Sequence, residues 1–156
     1  MDNIDKVIWV LPFLGVLDVA STLYVNNLGY SLKFYETGVL ANFFVSYGLT
    51  YVYIFVYLAI LVFFSYLFWY IKNERLSSSS FTDKILFLLL LGVVFYIYMR
   101  LTATFSINFL LPFLISGAFS YLSVSLLIYL STAFTLVLYT WQDAIRWFSE
   151  NEDRKN

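Results

Sequence analysis

Four stretches of this chain, about 7–25, 48–71, 85–105 and 119–141, are dominated by apolar side chains. Each approaches or exceeds the roughly 20 residues a helix needs to cross a bilayer. Nothing in the hydrocarbon core can satisfy a free amide or carbonyl, so spanning segments close their hydrogen bonds internally as helices. The expected fold is an all-α membrane protein, a four-helix transmembrane bundle forming a single domain over 1–156 with a tail at 142–156. Composition agrees, with 62% of residues hydrophobic and 12% charged, against about half apolar and a quarter charged in soluble domains.

Composition also narrows the chemistry. The sequence has no cysteine and no histidine. Thiolate catalysis, iron–sulfur ligation, the usual haem and zinc ligands and the usual neutral-pH base are therefore missing from the chain. The expectation is that it holds no cofactor and no metal and is not an enzyme. A net charge of −1 gives no basic face for nucleic acid. The expected partner is the lipid bilayer, with other membrane subunits or a homo-oligomer as further candidates.

Four spans place both termini on one side. That side would carry Lys6, Lys72, Arg75, Lys84, Arg146, Arg154 and Lys155, against Lys33 alone on the other. The positive-inside rule then makes the termini cytoplasmic in a multi-pass protein of the cell membrane. Trp9, Trp69 and Trp141 fall near the same ends of their spans, with Trp147 just beyond, as interfacial anchoring favours. The acidic head before the first span argues for a retained helix rather than a cleaved signal.

Lys72–Lys84 reads as a polar loop whose Ser80 or Thr82 could cap the third helix. Two outer segments, 37–47 and 107–118, are apolar but too short to span. Each contains Asn-Phe, at Asn42 and Asn108, and ends near Gly48 or Gly117. They fit re-entrant pieces of a duplicated transporter-like unit, surface-lying segments, or extensions of the neighbouring helices. The start of the tail is amphipathic, with Trp141, Ile145 and Phe148 at helical spacing, which suits the inner leaflet.

Ionisable side chains inside a membrane cost roughly 2.5–3.5 kcal/mol each on insertion scales, and are functional candidates for that reason. Asp18 lies about 17 Å along the first span and Arg100 about 23 Å along the third, at about 1.5 Å per residue. Thr22 shares a helix face with Asp18, and Thr104 and Asn108 share one with Arg100. Glu36 and Asn42 stand in the outer connection above them. Pro12 and Gly15 offer a bend below Asp18. Ser120, Ser131 and Thr135 give the fourth helix small residues for close contact. The candidate intramembrane polar site is therefore Asp18, Thr22, Glu36, Asn42, Arg100, Thr104 and Asn108. Asp18 and Arg100 either pair to fix helix packing or, with Glu36, line an outward-facing cavity.

The run Leu-Gly-Val-Leu-Asp18-Val-Ala-Ser-Thr22, followed by Gly29, Glu36 and Asn42, resembles a family of small uncharacterised prokaryotic polytopic membrane proteins. These carry an intramembrane Asp-x-x-x-Thr, a following glycine and a Glu-x-Asn-Pro. Here Asn42 lies six residues after Glu36 and no proline follows it. The resemblance implies that these polar positions act together, with Arg100 and Asn108 matching later polar positions, and brings no activity. Function then points first to a non-catalytic subunit or scaffold of a membrane complex. The alternative is a small ion- or proton-coupled transporter or ion pathway built on the Asp/Arg/Glu cavity.

Overall fold

A computed structural model describes residues 2–28, 47–76, 80–115 and 120–149. It contains four long helices: α1 Asn3–Asn27, α2 Thr50–Tyr70, α3 Phe81–Ile115 and α4 Tyr121–Ser149. All four are long and apolar enough to cross a membrane. The fold is all-helical and the chain is an integral membrane protein, as its apolar stretches require. Glu36, Asn42, Lys33 and the segment 37–46 lie outside the described residues, as do Arg154, Lys155 and the end of the tail.

The helices run further than the apolar stretches predict. α2 continues beyond Tyr70 in a π-helical turn, Ile71–Arg75, closed by the Leu76 amide on the Ile71 carbonyl at 3.0 Å. Lys72 therefore belongs to the helix and not to the loop. Ser80 precedes α3, where its Oγ faces the Asp83 amide at 3.5 Å, the position of an N-cap. α3 then continues past Phe105 to Ile115, so 107–115 is a helix extension rather than a re-entrant hairpin. At about 1.5 Å per residue α3 is about 52 Å long, well over the roughly 30 Å hydrocarbon thickness.

Gln142–Ser149 likewise continues α4 without a break. Trp141 and Ile145 face outward, but Trp147 stacks on Phe87 at 4.0 Å between ring centroids and Phe148 meets the same ring edge-on at 5.7 Å. The three aromatic and aliphatic residues expected to form one apolar stripe are thus divided. Trp147 and Phe148 close on the bundle instead of lying on a leaflet, because Phe87 presents a flat apolar partner nearly two turns into α3.

Packing selects one face of each helix. α1 buries Ile4, Val7, Ile8, Leu11 and Leu14; α2 buries Leu61, Ser65, Phe68 and Lys72; α3 buries Phe87, Leu90, Val94 and Leu101. These spacings are the three- and four-residue steps of a helix face. α1 packs on both α2 and α3, α3 also packs on α4, and α1 touches α4 only slightly. α4 buries only Leu136 and Thr140 among its described residues. Ser131 and Thr135 do not mediate close contact. Their hydroxyls donate to their own helix, to the Ile128 and Ser131 carbonyls at 3.1 and 2.8 Å, and they line an open groove of about 490 Å³ with Lys6, Tyr98, Thr102 and Tyr139.

Pro12 sits inside a continuous α1. Gly15 serves close approach: a Cβ there would overlap Leu61 Cδ1 and touch Leu58 Cδ2. Gly15→Ala should therefore destabilise the bundle by about 1–3 kcal/mol, the usual range for overpacking. Unfolding in mixed micelles checks this. Adding Leu61→Ala to Gly15→Ala should cost less than the sum of the two single changes, since the second removes the colliding methyl.

One end of the bundle gathers the start of α1, the end of α2, the start of α3 and the end of α4. There the Asp143 carboxylate accepts the Asn3 amide at 2.6 Å, and Asn3 Nδ2 donates to the Tyr139 carbonyl at 3.1 Å. Asp2 Oδ1 accepts the Asp5 amide at 2.7 Å. The Asp143 and Asp2 carboxylates thereby satisfy amides that the first turn of α1 leaves without intrahelical partners. Lys72 Nζ lies between two carboxylates, 2.5 Å from Asp2 Oδ2 and 2.6 Å from Asp5 Oδ1. Asn73 Nδ2 also donates to Asp5 Oδ1, at 3.2 Å.

Candidate functional site

The half of the bundle away from that end is organised differently. A cavity of about 360 Å³ opens among α1, α2 and α3, with Asp18, Thr22, Tyr57, Arg100, Thr104 and Asn108 in its lining. Its apolar wall includes Leu23, Ile54, Phe64 and Ile97. A volume of this order suits a small molecule, and a mostly apolar lining with a few convergent polar groups is the common form of a ligand pocket.

Asp18 is reached from α2 rather than α3. Tyr57 Oη donates to Asp18 Oδ2 at 2.9 Å. The other carboxylate oxygen, Oδ1, is buried and has no hydrogen-bond partner. A buried acceptor left unpaired costs about 1–3 kcal/mol, and more when it belongs to a charged group. Tyr57 is itself fixed by stacking on Tyr53, one helical turn away, at 5.9 Å between ring centroids.

Arg100 lines the same cavity but makes no salt bridge with Asp18. The expected Asp18–Arg100 pair is thus replaced by a tyrosine hydrogen bond, with the guanidinium left exposed in the cavity. The physical reason is placement. Tyr57 lies on the α2 face toward α1 and reaches the carboxylate first, whereas Arg100 sits on an open part of α3. Its backbone carbonyl accepts the Thr104 hydroxyl at 2.9 Å.

Asn108 joins α3 to α1. Its Nδ2 donates to Ser21 Oγ at 2.9 Å and to Thr22 Oγ1 at 3.2 Å, and Ser21 Oγ donates onward to the Asp18 carbonyl at 2.8 Å. Interhelical amide–hydroxyl contacts of this kind hold membrane helices together where lipid offers no competing partner. Five of the candidate polar positions, Asp18, Thr22, Arg100, Thr104 and Asn108, therefore share one cavity, and Glu36 and Asn42 lie outside the described residues. Tyr57 and Ser21 were missed. The sequence holds 14 tyrosines, and nothing local distinguishes Tyr57. Ser21 lies three residues after Asp18, a spacing that could have drawn attention to it. Among the described residues, no cluster of three or more acidic side chains is placed to hold a metal ion.

Comparison with family models, curated proteins and solved structures gave no match. The site's own geometry therefore carries the functional argument, within what the helices establish: an integral, multi-pass membrane protein.

Proposed function

We propose that this protein is a small membrane-embedded carrier that binds a polar solute in the cavity among α1, α2 and α3. One observation carries the reading: the Asp18 carboxylate stands inside a membrane-spanning helix with one oxygen held by Tyr57 and the other buried without a partner. An intramembrane charge is costly and marks a site by default. A ligand donor reaching the Asp18 carboxylate from the cavity would offset its cost. The resemblance through Asp18 and Thr22 is consistent with that grouping. The positive-inside count supports cytoplasmic termini, which directs the cavity toward the outer half of the bilayer.

A solute that binds only the folded protein raises its unfolding temperature. Melting of the purified protein across a panel of monovalent cations, amines, carboxylates and amino acids should therefore show one stabilising class. Asp18→Asn should remove that stabilisation while eluting at the wild-type volume, and proteoliposomes should take up the same class. If no class shifts the melt, or if Asp18→Asn responds as the wild type does, the reading is wrong.

A second reading, a non-catalytic subunit or scaffold, draws on α4. Leu126, Leu127, Leu130, Phe134 and Leu138 are all exposed along it, a long apolar surface that another subunit could cover. Particle mass in nanodiscs is the check. A lone monomer that takes up solute would dismiss the scaffold.

A further inference from the structure

Within the carrier reading, on which this inference rests, the charges of the cavity narrow the solute. Asp18 and Arg100 line one space, yet they do not form a salt bridge with each other. Two opposite charges in a largely apolar recess attract strongly, because the low local dielectric weakens screening. Their separation leaves an acceptor, Asp18 Oδ1, buried and unpartnered on α1. It also leaves a fork of guanidinium donors open on α3, suited to a planar carboxylate.

A cation alone would meet Asp18 but be repelled by Arg100. An anion alone would meet Arg100 but be repelled by Asp18. We infer that the cavity binds a small zwitterion, its ammonium group on the Asp18 carboxylate and its carboxylate on Arg100, with an apolar side chain against Leu23, Ile54, Phe64 and Ile97. Such a ligand carries no net charge into the membrane, satisfies both protein groups at once, and uses the apolar wall that a bare ion would leave empty. An α-amino acid with a branched aliphatic side chain has this chemistry and is smaller than the cavity.

The test uses three probes of one skeleton on the full-length protein in detergent: leucine, its decarboxylated amine 3-methylbutylamine, and its deaminated acid 4-methylpentanoate. Equilibrium binding should show leucine retained and each single-charge analogue at least tenfold weaker. Arg100→Gln should lose leucine and gain the amine. Asp18→Asn should lose leucine and gain the acid. Both variants are compared at matched elution volume, and Arg100→Lys, which keeps the charge, should retain part of the leucine binding.

If wild type binds the amine best and Arg100→Gln leaves that unchanged, the zwitterion inference fails while the carrier reading stands on a cationic solute. If wild type prefers the acid and Asp18→Asn makes no difference, it fails likewise in favour of an anion. If none of the three binds, the inference is overturned, and the carrier reading is then decided separately by the melting panel.

Discussion

Replacing Lys72 with methionine should destabilise the bundle more than any single change to a surface charge. Lys72 is 3% exposed, and its Nζ lies between the Asp2 and Asp5 carboxylates at 2.5 and 2.6 Å. Methionine fills a similar volume but leaves Asp5, whose side chain is 8% exposed, without its counter-charge. Breaking a buried pair by removing one partner costs about 3–5 kcal/mol, chiefly because the stranded charge stays buried. Asp2→Asn should cost less, since its side chain is 32% exposed and Lys72 keeps Asp5. The triple change Asp2→Asn, Asp5→Asn, Lys72→Met should recover much of the loss, because no charge is then left alone. Unfolding free energies in mixed micelles give all three values. A Lys72→Met protein as stable as wild type would show that the cluster is solvated and contributes as little as an exposed pair.

Phe87→Ala should produce a loss of similar size by a different route. Phe87 is fully buried, faces the Trp147 ring at 4.0 Å with an interplanar angle of 9°, and receives the Phe148 edge. Truncating a buried phenylalanine to alanine costs about 3–5 kcal/mol, combining lost contacts with the void left behind. In lipid, close packing is a principal adhesive between helices, so few other interactions compensate. α4 is otherwise tied at this end by the two bonds of Asn3, to the Asp143 carboxylate and the Tyr139 carbonyl. Hydrogen exchange over 141–149 should therefore rise along with the fall in global stability. A small loss with unchanged exchange would show that the Asn3 contacts seat the helix without the ring stack.

The number, order and approximate position of the helices were legible because an apolar run of spanning length has few structural alternatives. Their ends were not. Lys72, Phe81–Lys84 and Gln142–Ser149 are polar or mixed and read as loop or tail, whereas tertiary contacts carry the helix through Lys72 and Gln142–Ser149 and the Ser80 start carries it through Phe81–Lys84. Lys72 is the clearest instance: its partners are 67 and 70 residues away, and no local pattern reports them. The buried faces were hidden for the opposite reason. A helix that is apolar all round gives no contrast between its lipid side and its protein side, so Gly15 read as a bend rather than as a contact with Leu61. Asp18, Arg100 and Asn108 stood out against that uniform background, and the cavity they share was approachable from sequence. Which residue actually bonds Asp18 was not, because a tyrosine on an aromatic-rich helix looks like every other.

The lopsided burial of α1 has a mechanical consequence. Its first half starts at the ion cluster and is buried through Ile4, Ile8 and Leu11, while its second half faces the hollow around Asp18. Among the described residues the three-helix core is therefore closed on the side of the termini. If the carrier reading holds, a solute bound there crosses only when that closed end parts, which means drawing Lys72 away from two aspartates. On the carrier reading, substitutions that loosen this closed end should then speed passage without changing what is bound.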